Sequence, residues 1–155
     1  MTVRNRIEVM HGVNLDQLGR RDPGQYGPLT LDQLEVQIKD WADELGLRTQ
    51  FFRSNHEGDF VERLHRLSGM ADGLLLNPGA WTHYSYAIRD ALDMTGLPAV
   101  EVHLSNIAER ETWRQKSVIA ELCVGQIFGK GADGYQEALT CLRDELGVKP
   151  QEESA

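Results

Sequence analysis

Cysteine is scarce in this chain: Cys123 and Cys141 are the only two among 155 residues. Both sit in apolar surroundings, so buried free thiols are expected rather than a disulfide or a redox pair. Positive charge is also short. Sixteen Lys+Arg face 24 Asp+Glu, a net charge of -8, which argues against non-specific nucleic-acid binding, because that needs a basic footprint to displace counterions. No apolar run reaches the length that spans a bilayer, and the N-terminus carries no apolar signal segment, so the expected setting is cytoplasmic and off the membrane. Metal-ligand spacing is missing too. His11, His56, His65, His83 and His103 make no His-x-x-x-His pair and no cluster with cysteine, so no metal site is expected.

What is present reads as an ordinary globular domain. Hydrophobic content of 41% and charged content of 26% are typical. With no repeat and no linker, residues 1–155 are expected to form one domain, with a frayed tail from about residue 149. A first strand, Arg6 to Met10, is followed by a long loop, Asn14 to Gly27. Strand-to-helix connections usually run to about 2–6 residues, so a longer one points to a lid or binding loop. Thr30-Leu31-Asp32-Gln33 then reads as a capping box, and Leu31, Leu34, Ile38, Trp41, Ala42 and Leu45 share a helix face that stops at Gly46. Arg48 to Ser54 is a second strand, and Phe60, Val61, Leu64 and Leu67 mark a second helix closed by Gly69. The continuous apolar run Gly73 to Leu76 suits a strand buried on both faces. Tyr84, Ala87, Ile88, Ala91, Leu92 and Thr95 recur at helical spacing, and Ala99 to Val102 is the fourth strand. Asn106 and Glu109 suggest a short helix carrying Arg110 to Arg114; Cys123 to Phe128 is the last strand and Ala132 to Leu146 the last helix.

Strands alternating with helices at this spacing predict right-handed βαβ units, an α/β sandwich with a five-stranded parallel sheet. The usual outcome is a flavodoxin-like sheet of order 2-1-3-4-5, with ligands beyond the carboxyl ends of the strands. That rule gathers the loops after the first four strands on one edge. They bring Asn14, Arg21 and Tyr26; His56; Asn77 and His83; and His103, Ser105 and Arg114.

Those side chains suggest a chemistry. Arg20 and Arg21 are fixed positive charge, suited to a small anionic ligand or a developing oxyanion. A guanidinium beside a phenol favours the phenolate, which makes Tyr26 a general-base candidate; the plainer alternative is a half-buried loop anchor. His103 closes a buried strand two residues after Glu101, hence on the same side, and the carboxylate can orient the imidazole as a general acid. The alternative there is a structural hydrogen bond. Asn77, His83, Ser105 and Arg114 offer donors and acceptors for a polyhydroxy carboxylate, or serve simply as turn and cap residues.

Several blocks, in order, resemble type II 3-dehydroquinate dehydratase. They are Asn14-Leu15 through Leu18-Gly19 with Arg21, Pro23, Tyr26 and Gly27; Ser54-Asn55-His56-Glu57-Gly58; Asn77-Pro78-Gly79-Ala80 with Thr82-His83-Tyr84-Ser85 and Arg89-Asp90-Ala91; Glu101-Val102-His103-Leu104-Ser105-Asn106 with Arg110-Glu111 and Arg114; and Gly131-Ala132-Asp133-Gly134-Tyr135. The resemblance implies a cofactor-free anti elimination of water from 3-dehydroquinate through an enolate, giving 3-dehydroshikimate. It makes Tyr26 the base supported by Arg21, Asn14 the enolate stabiliser, and His103, oriented by Glu101, the acid. It gives substrate hydroxyls to Asn77, His83 and Arg114, and the carboxylate to Ser105 and the backbone of Leu104. Asp90 matches a position that reaches a neighbouring subunit's site, in a homododecamer built from trimers. The reaction serves aromatic amino-acid biosynthesis through the shikimate pathway, and equally quinate breakdown. His11 and Val13 stand where the family usually has Asn and Pro, Ala108 where it often has His, and Lys130 where it often has Leu. A non-catalytic flavodoxin-like module is the competing reading, yet a receiver would end the third strand in Asp rather than Asn77, and a flavin site would follow the first strand with a Ser/Thr-rich loop.

Overall fold

The computed structural model describes residues 3–149. In chain order the elements are β1 (Arg6–His11), α1 (Pro23–Tyr26), α2 (Leu31–Glu44), β2 (Arg48–Arg53), α3 (Glu57–Arg66), β3 (Gly73–Asn77), α4 (Tyr86–Thr95), β4 (Ala99–His103), β5 (Gly125–Phe128) and α5 (Asp133–Leu146). The sheet has five parallel strands in the order β2-β1-β3-β4-β5. This is the flavodoxin-like α/β arrangement expected from the alternation of elements.

Burial explains the order. Every residue of β3 and β4 is buried, as central strands covered on both faces must be. β2 alternates exposed and half-buried positions and lies at an edge. Ile7, Val9, Leu75, Val100 and Val102 pack beneath α2 and α5; Met10, Leu74, Leu76 and Ala99 pack beneath α3 and α4. The Thr30 box forms as read: its hydroxyl accepts from the Gln33 N–H at 3.2 Å, and the Gln33 side chain accepts from the Thr30 N–H at 3.0 Å. Leu31, Leu34, Ile38 and Ala42 are buried along α2, whereas Trp41 and Leu45 only flank the core. Burying side chains such as Leu34 or Ile38 contributes about 1.5–3 kcal/mol each. Charge is buried in the sheet as well: Glu8 is fully buried and takes a two-pronged grip from Arg63, at 2.6 and 3.1 Å, which compensates its desolvation.

Four local expectations need correction. α4 begins at Tyr86, after a 3-10 turn over Gly79–His83, with the Ser85 hydroxyl accepting from the Ile88 N–H at 3.1 Å. Tyr84 therefore lies outside the helix, and both it and Ala87 are exposed; the inward stripe is Ile88, Ala91, Leu92 and Thr95. No continuous helix carries Arg110 to Arg114. Asn106 does cap a turn, accepting from the Ala108 N–H at 3.1 Å, but extended backbone at Arg110 and a Glu111 ψ of 149° split the segment into 3-10 turns Ile107–Glu109 and Thr112–Arg114. The last strand starts at Gly125 because Ala120–Leu122 forms another 3-10 turn. Finally, the two cysteines are free but only partly buried; burial still pushes the Cys123 thiol up to about 12. The frayed tail expected from residue 149 falls, apart from Lys149, outside the described residues. No helix among the described residues is long and apolar enough to cross a membrane.

Candidate active site

The carboxyl ends of the strands are brought level by register: His11 of β1 lies opposite both Arg53 of β2 and Asn77 of β3. Beyond them, two turns meet backbone to backbone. A Cβ on Gly12 would stand 2.3 Å from the Pro78 carbonyl oxygen, and one on Gly79, at φ +65°, would stand 2.6 Å from that of Val13. Only glycine allows this approach. It seats Asn14 and Asn77 on one pocket wall, with the Asn77 side-chain oxygen accepting from the Gly79 N–H at 3.0 Å.

The long first loop is ordered rather than a plain excursion. Leu15 and Leu18 bury themselves in the core, and Asp22 caps α1 by accepting from the Gly24 N–H at 2.9 Å, with Pro23 in the first turn. α1 delivers Tyr26 into the pocket. Its hydroxyl accepts from Arg21 Nη2 at 2.6 Å and from Arg110 Nη1 at 2.8 Å. The Arg21 guanidinium carbon also lies 3.7 Å from the centre of the Tyr26 ring. Two cationic donors thus converge on one phenol oxygen. Arg20 is exposed and stays outside the pocket.

Across the pocket, β4 supplies a buried pair. His103 Nε2 donates to Glu101 Oε2 at 2.5 Å, which leaves Nδ1 for the pocket. Glu101 is fully buried, and its other partners are Thr82, which donates to Oε2, Ser117, donating to Oε1 at 2.7 Å, and Gln126, donating to Oε1 at 3.3 Å. Burial pushes the Glu101 carboxyl up, but the bonds from His103, Thr82 and Ser117 outweigh it and hold the group below its ordinary value. It is therefore a carboxylate at neutral pH.

Between these halves lie the binding candidates. His83 donates from Nδ1 to the Lys116 carbonyl at 2.7 Å, and its ring stacks 6.4 Å from that of His103. Burial, against the help of the Lys116 carbonyl, pushes its proton affinity down, so with Nδ1 donating it presents Nε2 as an acceptor. Arg114 pairs with Glu111 and lies 4.0 Å over the Trp113 ring. Leu104 and Ser105 line the floor, and Ser105 Oγ accepts from Arg110 Nη1 at 3.3 Å. Thus Asn14, Arg21, Tyr26, Asn77, His83, His103, Leu104, Ser105 and Arg114 all reach one pocket, with Glu101 behind it. Besides Arg20, two candidates do not. His56 is exposed in the neighbouring turn after β2, and Asp90 is exposed on α4.

Arg110 was missed as a site residue. It is 84 positions from Tyr26 in sequence, and nothing local distinguishes it from a solvated arginine; its only signal was a place in the fourth block. Likewise, Thr82, Ser117 and Gln126 gave no sign that they converge on one carboxylate.

This arrangement has close counterparts. The family profile described as Dehydroquinase class II matches residues 5–143. The chain is 54% identical over 138 residues to the 3-dehydroquinate dehydratase of Thermotoga neapolitana, covering 89% of this chain and 94% of that one. It is 50% identical over 141 residues to the 3-dehydroquinate dehydratase of Thermotoga maritima, covering 91% and 96%. The crystal structure of type II dehydroquinase from Propionibacterium acnes superposes with a TM-score of 0.87 at 38% identity, over 93% of this chain and 99% of that one. A match across nearly the whole sequence and the whole fold leaves one conclusion: this chain belongs to the class II dehydroquinases.

Proposed function

We propose that the protein is a 3-dehydroquinate dehydratase, a hydro-lyase that removes water from 3-dehydroquinate to give 3-dehydroshikimate. The observation that carries the mechanism is the opposition of a phenol oxygen gripped by Arg21 and Arg110 to an imidazole gripped by Glu101. A proton alpha to a ketone needs a strong base, and Tyr26 in its phenolate form takes it. The electron pair moves into an enolate, whose oxygen Asn14 stabilises. When the enolate collapses, the carbon–oxygen bond to the leaving hydroxyl breaks, and His103 gives that hydroxyl a proton from the pocket-facing Nδ1. The products are water and a conjugated enone. No electrons leave the substrate, so the reaction requires no redox partner.

Asn77, neutral His83 and Arg114 bind the ring hydroxyls, while Ser105 and the backbone of Leu104 hold the carboxylate. Arg110, bridging Ser105 and Tyr26, joins carboxylate binding to the base. The matched residues act as one catalytic domain in the cytoplasm, serving the shikimate route to aromatic amino acids. The active form is a homododecamer built from trimers, in which Asp90 on α4 completes a neighbouring subunit's site; sedimentation at assay concentration tests that assembly.

The central test is simple. Purified protein given 3-dehydroquinate without added cofactor should produce the ultraviolet absorbance of the enone. Absorbance no greater than in a no-enzyme control would overturn the reading.

A further inference from the structure

We propose that Asn55 is a positioning residue for Asn14, and that Asp16 in turn sets the orientation of Asn55; this rests on the role given to Asn14 above. Asn14, at φ 68°, is the only non-glycine residue among those described with positive φ. Asparagine tolerates the left-handed region better than most side chains, but something must hold it there. Its N–H donates to Asn55 Oδ1 at 2.8 Å, and Asn55 Nδ2 donates to Asp16 Oδ2 at 3.0 Å. A carboxylate can only accept, so Asp16 dictates which end of the Asn55 amide faces Asn14. The turn that bears Asn55 is itself tied to β1, where the Ser54 N–H donates to the His11 carbonyl at 3.2 Å.

The consequence falls on the pocket. Asn14 makes no side-chain capping bond to the 3-10 turn it precedes, so its amide stays available on the pocket wall. Because the backbone at Asn14 is in a sparsely populated conformation, the direction of that amide depends on the anchor at its N–H. Asn55 does not line the pocket and acts only through Asn14. The loop after β2, which appeared to bring nothing but an exposed histidine, thereby supports the enolate end of the site.

The test uses the full chain. Asn55→Ala should lower kcat about tenfold with KM within about twofold, the size expected for one lost hydrogen bond felt mainly in the transition state. Asn55→Asp should do at least as badly, because two carboxylates then face each other. The exchange variant D16N/N55D restores an amide donor and a carboxylate acceptor in swapped positions, and should recover most of the lost kcat. A double variant no better than N55D, or an Asn55→Ala enzyme with unchanged kcat, would overturn the proposal. Amide hydrogen exchange at Asn14 separates this from the catalytic reading: it should speed up in Asn55→Ala and slow again in the exchange variant, whether or not the wild type turns over. Unchanged exchange overturns the anchor; inactive wild type overturns only the proposed reaction.

Discussion

The two halves of the pocket are built in different ways. The half proposed to supply the acid is a piece of central sheet: Glu101 and His103 sit on a wholly buried strand, and the carboxylate meets four donors. The half proposed to supply the base is a surface loop whose short α1 holds no buried residue, and its phenol is fixed by one guanidinium from the same loop, Arg21, and one from a distant segment, Arg110. A sheet can preorganise a proton donor at no extra conformational cost. A loop can bring a base up to a ligand and let it leave again. The division suits the proposed elimination, with a fixed group for the acid and a loop-borne one for the base.

The largest break in that comparison is Tyr26→Phe. It removes the oxygen on which both arginines converge, and kcat should fall by about a thousandfold or more while KM stays near its wild-type value. Steady-state absorbance measurements check this, and a fully active variant would displace Tyr26 as the base. Next is Glu101→Gln. An amide in the carboxylate's place presents a donor to donors and weakens the support of a protonated His103, so kcat should drop about a hundredfold and the melting temperature should fall as well. Both losses together would mark the acid half as part of the core; a loss of kcat alone would not.

Arg110→Met should reduce kcat about tenfold to a hundredfold and also raise KM, since the residue touches both Tyr26 and Ser105. Its melting temperature should scarcely move, in contrast to Glu101→Gln. The smallest effect concerns acid stability. The Glu101 carboxyl is held below its ordinary value of 4.5 in the folded state, so its contribution is fully present above that value and is lost as pH falls through the lower, folded one. Thermal melts from pH 7 downward should show this loss in the wild type and a flatter profile in Glu101→Gln.

The same contrast explains what could be read from the sequence. Local signals worked where local forces rule: the Thr30 box, the apolar run of β3 and the i, i+2 relation of Glu101 and His103 all stand in the structure. Readings failed where a short segment could be periodic by chance, as at Tyr84 and Ala87, or where a capped turn buries only one residue, Ile107, and gives way to extended backbone, as after Asn106. Arg110 and the donors around Glu101 were illegible for another reason. Their partners are set by how strands and loops close in space, and side-chain types alone carry no record of that.

His11, which the resemblance marks as standing where the family usually has Asn, is held in place by packing. It is fully buried at the end of β1 and stacks on Phe51, with ring centres 6.2 Å apart. Its Nε2 lies 3.3 Å from Glu35 without the alignment of a hydrogen bond, and neither ring nitrogen has such a partner. Burial outweighs the pull of Glu35 and pushes its proton affinity down, so it packs as a neutral aromatic. It leaves the Gly12 and Gly79 contact beside it intact.

The four contacts on Glu101 have a wider meaning. They arise at the turn after β3, at the segment before β5 and on β5 itself, as well as from His103. The orientation of one imidazole is thus set jointly by three side chains, Thr82, Ser117 and Gln126, that do not line the pocket. Under the proposed mechanism, drift in any of these contributors would re-aim His103, so variation in turnover between relatives can originate in residues outside the pocket lining.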